Sequence, residues 1–222
     1  MELVDLLKLS VERRASDLHI KVGVPLPLSG RHARFGEIIK NSFVLAADEV
    51  NAKGGVRGGY KLDLLFEDSK SDVQTARTVT EKLINQDKVV MLTWQYSSVE
   101  PFPASQIAQQ YGMPFLVSTA AADEITQQGW KYIFRMVQPA SEFDNGLKDF
   151  FEKVARPKSI ALLYENTLFG TSTAAAMKDW AGRNQVEVVM YEPYDAGSPD
   201  YRPLLLRVKE KKADVIYMVS YL

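Results

Sequence analysis

The chain has 222 residues, a quarter of them charged, with a net charge of −1 and no cysteine. The balanced charge argues against capture of nucleic acid or of an anionic membrane surface, and the missing cysteine excludes disulfides, thiolate metal sites, a thiol nucleophile and a lipid-bearing N-terminal cysteine. The length accommodates one large domain or two small ones, each able to bury a core.

Residues 2–14 place Leu3, Leu6, Leu7 and Val11 on one helical face, with Glu12, Arg13 and Arg14 outside it, which predicts an amphipathic opening helix. Glu2 and Asp5 fall where a secretory signal has its basic region, and no later stretch reaches membrane-spanning length, so the chain as written reads as cytoplasmic. Residues 18–24 read as a first strand, followed by the Pro25, Pro27, Ser29, Gly30 loop. A helix over 36–52 carries Ile39, Phe43, Ala46, Ala47 and Val50, and Gly54 and Gly55 supply its left-handed end.

The unit then repeats: strand 61–67, helix 72–85, strand 88–94, a helix marked by Ala104, Ile107, Ala108 and Tyr111, and strand 113–118. After a small, polar run, residues 132–137 are read as opening a second series: helix 142–155, strand 159–164, helix 170–183, strand 186–191, helix 201–211 and strand 214–219. Alternation of this length predicts an α/β fold of parallel sheets with helices on both faces. The series stops without a closing element, so the second half reads as incomplete.

The most informative stretch is VVMLTWQYSS, residues 89–98, where an apolar strand stops at Ser97 and Ser98 ahead of a helix start placed near Val99. In open α/β sheets ligands sit at the carboxyl ends of strands, and backbone N–H groups there form an anion seat. The two serines suit either helix capping or ligand contact. Ser29, Gly30, Asp68, Ser118 and Thr119 are expected on the same rim, and Phe35, Trp94, Tyr96, Phe169 and Tyr221 at strand ends or helix starts. Such aromatics suit an apolar or flat ligand, or ordinary packing.

Chemistry is sparse. His19 and His32 lack cysteine or carboxylate companions at metal-ligand spacing, and Asp63, Glu67 and Asp68 read as a solvated strand face and rim before a cation site. GGVRGGYK lacks the ending of a phosphate-binding loop and reads as a turn. No nucleophile elbow is present. The expectation is no catalytic residue, no metal and no cofactor.

From about Ile20 onward the order of motifs resembles the periplasmic solute-binding proteins of ABC transporters for branched-chain amino acids, amides and aromatics. The residues that carry it are IKVGVPLPLSG with Phe35-Gly36, AADEVNAKGGVRGG, LLFEDSKSD, YSS, LVSTAAAD, YIFR, LYENTLFG and Asp200-Tyr201. The resemblance implies the two-lobed type I periplasmic-binding-protein fold, with a ligand held between lobes that swing on a hinge. Lobe one would span 20–120 and an incomplete lobe two 121–222, after an N-terminal helix over 1–19. It further implies that Ser97, flanked by Tyr96 and Ser98, takes a ligand carboxylate and that Ala120 offers its carbonyl to an ammonium. Ser118 and Thr119 adjoin them, and Phe35, Phe169 and Tyr221 enclose the ligand. Two departures stand out: the family's threonine near 121 or 122 is alanine here, and the acidic residue that receives the ammonium lies past Leu222. A buried ammonium without that partner costs several kcal/mol.

Residues 2–25 resemble the opening of the twitching-motility and pilus-assembly ATPases, with no Walker motif following. Taken together, the expectation is a C-terminally truncated solute-binding protein for a small amino acid, branched-chain or aromatic, or an amide. Its partners would be that small molecule and an ABC transporter membrane permease, with no nucleic acid, and with a homodimer through unfinished sheet edges as a further expectation. The alternatives are a cytoplasmic amide- or amino-acid-sensing regulator on the same fold, and a non-functional fragment.

Overall fold

A computed structural model describes residues 19–56, 59–94 and 96–221. The expected helix over 2–14 and the pilus-ATPase-like opening lie outside the described residues, apart from the shared strand from His19. The chain divides into two compact units: one comprises residues up to Tyr96 with Pro103–Ser118 and Lys131–Phe134, the other Ser97–Phe102, Thr119–Trp130 and residues from Arg135 onward.

The first unit is built on a five-stranded sheet of order β2-β1-β3-β4-β5, with β1 His19–Leu26, β2 Lys61–Asp68, β3 Met91–Trp94, β4 Phe115–Val117 and β5 Ile133–Arg135. β1 pairs in parallel with β2 and β3, and β3 with β4. Its last five residues are buried in succession, as expected of a parallel strand covered on both faces. Val22, Val24 and Leu26 pack with Leu64, Phe66 and Met91 and with Ile39 and Phe43 of α1 (Ala33–Ala52).

The glycine-rich end of α1 has a specific task. Asn51 donates its amide N–H to the Leu62 carbonyl (2.9 Å) and accepts the Leu62 N–H (2.8 Å), clamping the helix to β2. The chain reverses immediately, with Gly54 and Gly55 at φ 97° and 80°, and a Cβ on Gly55 would meet the Tyr60 carbonyl oxygen at 2.2 Å. Val56 and Tyr60 exchange backbone hydrogen bonds, so the flanks of GGVRGGYK do form a turn, with Arg57 and Gly58 outside the described residues. α2 (Val73–Asn85) is capped by Asp72, whose carboxylate accepts the Thr75 N–H at 2.8 Å, and buries Ala76, Val79, Thr80, Leu83 and Ile84 along one stripe.

Sequence reading gives the strand near 132–137 to the second series, but β5 is an outer strand of the first sheet. The Tyr132 carbonyl accepts the Phe115 N–H at 2.8 Å, and Gln109 accepts the Lys131 and Tyr132 amides. These bonds, invisible to periodicity, hold the strand in place.

The second unit carries a three-stranded parallel sheet of order β7-β6-β8: β6 Ser159–Glu165, β7 Glu187–Tyr194 and β8 Val215–Val219. Alternate residues of β6 serve opposite faces. Ile160, Leu162 and Tyr164 join Ala174, Met177, Trp180 and Ala181 of α6 (Leu168–Arg183), and Ala161 and Leu163 join Leu204 and Val208 of α7 (Arg202–Lys211). The single helix expected over 142–155 is instead α4 (Ala140–Phe143), α5 (Asn145–Phe150) and a π-turn over Phe151–Ala155. The break falls at Asp144, which leaves helical geometry (φ −101°, ψ 17°) while its carboxylate accepts the Tyr217 hydroxyl from β8. Among the described residues no helix is long and apolar enough to cross a membrane.

Candidate functional site

In the first unit, the aromatic expectation divides. Phe35 stacks flat on Tyr96, with centroids 4.3 Å apart and planes 11° from parallel, and His32 meets the same ring edge-on at 5.3 Å. Trp94 is fully buried and belongs to the core, its indole N–H donating to the Tyr96 carbonyl at 3.2 Å. Ser118, half-buried, donates its backbone N–H to the Trp94 carbonyl at 2.9 Å, so it ends the β3–β4 pairing.

Asp68 is a loop knot, which removes it from the candidate cation set. It accepts the Leu28 and Ser29 amides (2.9 and 3.1 Å), the Lys70 amide (2.8 Å) and the Ser29 hydroxyl (2.6 Å). Burial opposes its charge, but the bonds from Ser29, Lys70 and Leu28 hold the carboxyl below its ordinary range. Glu67 pairs with Lys82. Among the described residues no group of three His, Asp or Glu is placed to hold a metal.

In the second unit, Ser97 and Ser98 are both buried. α3 (Pro101–Gln110) begins two residues later than expected, and the serine hydroxyls are used elsewhere. Ser97 Oγ accepts the Val99 N–H at 3.3 Å, closing a turn, and Ser98 Oγ accepts the Ala122 N–H at 3.2 Å. Helix capping is therefore not their task. Ser97 adopts φ 67°, in the left-handed region that a side chain seldom visits. Such strain persists where the surroundings demand it, and functional sites are where it concentrates. The Ser98 N–H donates to the Tyr221 hydroxyl at 3.0 Å. The Tyr221 ring leans on Phe169 at 5.2 Å, which meets Phe143 edge-on at 6.0 Å.

The 119–122 segment beside Ser98 is held from below. Arg135 donates through Nη1 to the Ala121 and Ala122 carbonyls (3.0 and 2.8 Å), and Ala121 also accepts the Ala140 N–H (2.7 Å). Burial pulls the Arg135 guanidinium below its usual value, against the acidic pull of Asp123, Glu142 and Glu124. Thr119 is exposed and Ala120 buried. Sequence reading missed Arg135 and also Glu165, the buried last residue of β6, whose Oε2 accepts the Tyr221 N–H at 3.1 Å. The strand-end rule that selected Ser97 applies equally to Glu165 and was the available signal.

A family model described as "Periplasmic binding protein" matches residues 19–222. The chain belongs to the periplasmic binding protein family. Leu/Ile/Val-binding protein homolog 8 of Brucella abortus (strain 2308) is 32% identical over 210 residues, covering 91% of this chain and 52% of its own length. The chain thus spans about half the length of the curated relatives it matches. A branched-chain amino acid transporter substrate-binding protein from Streptococcus pneumoniae, solved with isoleucine, has a TM-score of 0.79 at 26% identity, over 91% of this chain and 57% of that one. Two others share the fold: a leucine-binding protein from Thermotoga maritima MSB8 (TM-score 0.82, 18% identity, 91% and 56% covered) and a solute-binding protein from Rhodopseudomonas palustris BisB5 solved with 3,4-dihydroxybenzoic acid (0.77, 24%, 90% and 54%). The periplasmic binding protein match begins at His19, so β1 belongs to this fold and the pilus-ATPase resemblance receives no support.

Proposed function

We propose that this chain is the ligand-recognising portion of an ABC transporter solute-binding protein, taking a small carboxylate-bearing ligand, a branched-chain or aromatic amino acid, without turning it over. The observation that carries this reading is the Ser97–Ser98 turn. A buried, strained serine precedes a backbone N–H that already donates to a neutral oxygen, Tyr221 Oη, at 3.0 Å. A carboxylate oxygen is a stronger acceptor for the same donor. Relatives named for leucine, isoleucine and valine, and neighbours solved with isoleucine or dihydroxybenzoic acid, support the ligand class. In this reading Ser97, Ser98 and Tyr221 of the second unit take the carboxylate, Ala120 and Thr119 line it, and Phe169 contacts the side chain. The permease and the periplasmic setting are proposed from the family.

A thermal-shift series on the full chain tests this reading. Saturating isoleucine or 4-hydroxybenzoate raises Tm, because a ligand that binds only the folded state stabilises it by about 2.7 kcal/mol at a hundredfold excess over Kd. An unmoved Tm with both probes overturns it.

A further inference from the structure

We infer that Glu165 is a positioning residue, whose buried carboxylate takes the Tyr221 backbone N–H and thereby sets the Tyr221 phenol on the Ser98 amide. The inference rests on the reading of Ser98 as the anion donor and assigns a role to a residue outside that donor set.

The parallel ladder explains why a side chain is needed. β6 and β8 stay in register up to Tyr164 opposite Val219 and stop there. Two residues further, Tyr221 has left the strand, and the Glu165 carboxylate replaces a ladder carbonyl as acceptor for its N–H at 3.1 Å. Glu165's own carbonyl is engaged by the Thr167 N–H at 2.7 Å, at the turn into α6. A carboxylate only 2% exposed is costly unless it is hydrogen-bonded, and a charge-assisted bond to a backbone N–H is stronger than a neutral one.

Tyr221 is thereby fixed at three points: its N–H by Glu165, its ring by Phe169 and its hydroxyl by Ser98. Gly170 lets the Glu165 end of β6 sit against α6, since a Cβ there would meet the Glu165 carbonyl oxygen at 2.0 Å. Glu165 thus acts on the Ser98 donor through Tyr221 and not by touching ligand.

The test is amide NMR on the 15N-labelled full chain, followed by calorimetry. In Glu165→Ala the Tyr221 and Ser98 amide protons both move upfield as their hydrogen bonds are lost. Glu165→Gln, which keeps an acceptor oxygen, leaves Ser98 in place, and Tyr221→Phe moves Ser98. If Glu165→Ala does not fold, Glu165→Asp, whose shorter arm falls short of Tyr221, moves both amides instead. An unmoved Ser98 amide in the folded Ala or Asp variant overturns the inference. Calorimetry with isoleucine or 4-hydroxybenzoate adds a separate readout. Affinity falls about tenfold in Glu165→Ala, is restored in Glu165→Gln, and falls no further when Glu165→Ala is added to Tyr221→Ala. Equal loss in Gln and Ala, with Ser98 unmoved in Gln, means that Glu165 meets ligand charge directly, which also overturns it. Wild-type protein that binds neither probe refutes the proposed function, while the NMR comparison still decides the role of Glu165.

Discussion

The Ser98 backbone N–H is bonded to the hydroxyl of Tyr221, 123 residues further along the chain, at 3.0 Å. The donor that sequence reading offers to a ligand therefore holds an oxygen of the protein itself. In the proposed binding mode a carboxylate shares that N–H and accepts a hydrogen bond from the phenolic O–H. Tyr221→Phe keeps the ring against Phe169 and removes only the hydroxyl, so it weakens carboxylate binding about three- to tenfold, the scale of one lost hydrogen bond. Calorimetry against the wild type checks this.

Ser97 sits at φ 67° with a side chain that the backbone disfavours. Ser97→Gly relieves this strain and deletes the hydroxyl, at the cost of the long 3.3 Å bond from the Val99 N–H. We expect stability unchanged or raised by up to about 1 kcal/mol, because the left-handed region is open to glycine, together with a clear loss of affinity. Urea unfolding and ligand titration on one preparation read both. Ser97→Ala loses the hydroxyl without relieving the backbone, so its stability does not rise.

Gly36 and Gly170 serve the same purpose in the two units. Each lies in the first turn of a helix against preceding backbone, and a Cβ would come within 2.0 Å of the Pro27 or the Glu165 carbonyl oxygen. Backbone cannot step aside as a side-chain tip can. Each Gly→Ala substitution costs about 1–3 kcal/mol, the range of overpacking, read as a lower urea midpoint with unchanged m-value.

The pH dependence is set by tyrosines on the alkaline side. Burial, aided by Tyr164, pushes Tyr191 up to about 12, burial and Asp144 push Tyr217 up strongly, and burial pushes Tyr221 up against hydrogen bonds from Ser98 and Ser97. Above pH 10 the unfolded chain loses phenolic protons that the folded chain keeps. Stability therefore holds up to the ordinary tyrosine range and falls as pH rises beyond it. Tyr217→Phe makes that fall shallower, which denaturation at pH 9, 10 and 11 measures.

Much of this was legible in the sequence because local rules and tertiary packing agree. The apolar run through Val22 and Val24, the helical stripe up to Asn85 and the Gly54-Gly55 stop after α1 specify their elements directly. The errors fall where a distant partner decides. Asp144 breaks its helix for a tyrosine on β8, and residues 133–135 complete a sheet begun more than a hundred residues earlier. Trp94, a strand-end aromatic like Tyr96, is core because β3 is covered on both sides. At the site, Ser97 and Ser98 were legible from their place after a strand. Which atoms serve was not, since Ser98 Oγ is bonded by Ala122 and Tyr221 is fixed by Glu165.

The proposed carboxylate seat is the Ser97–Ser98 turn. Calorimetric titration of isoleucine and of 4-hydroxybenzoate into the wild-type chain and Ser97→Ala tests it most directly. At least one of them binds the wild type, and Ser97→Ala weakens that binding about tenfold, as expected for a hydrogen bond to a charged group. Equal affinity with and without the hydroxyl, or no binding of either compound, contradicts it.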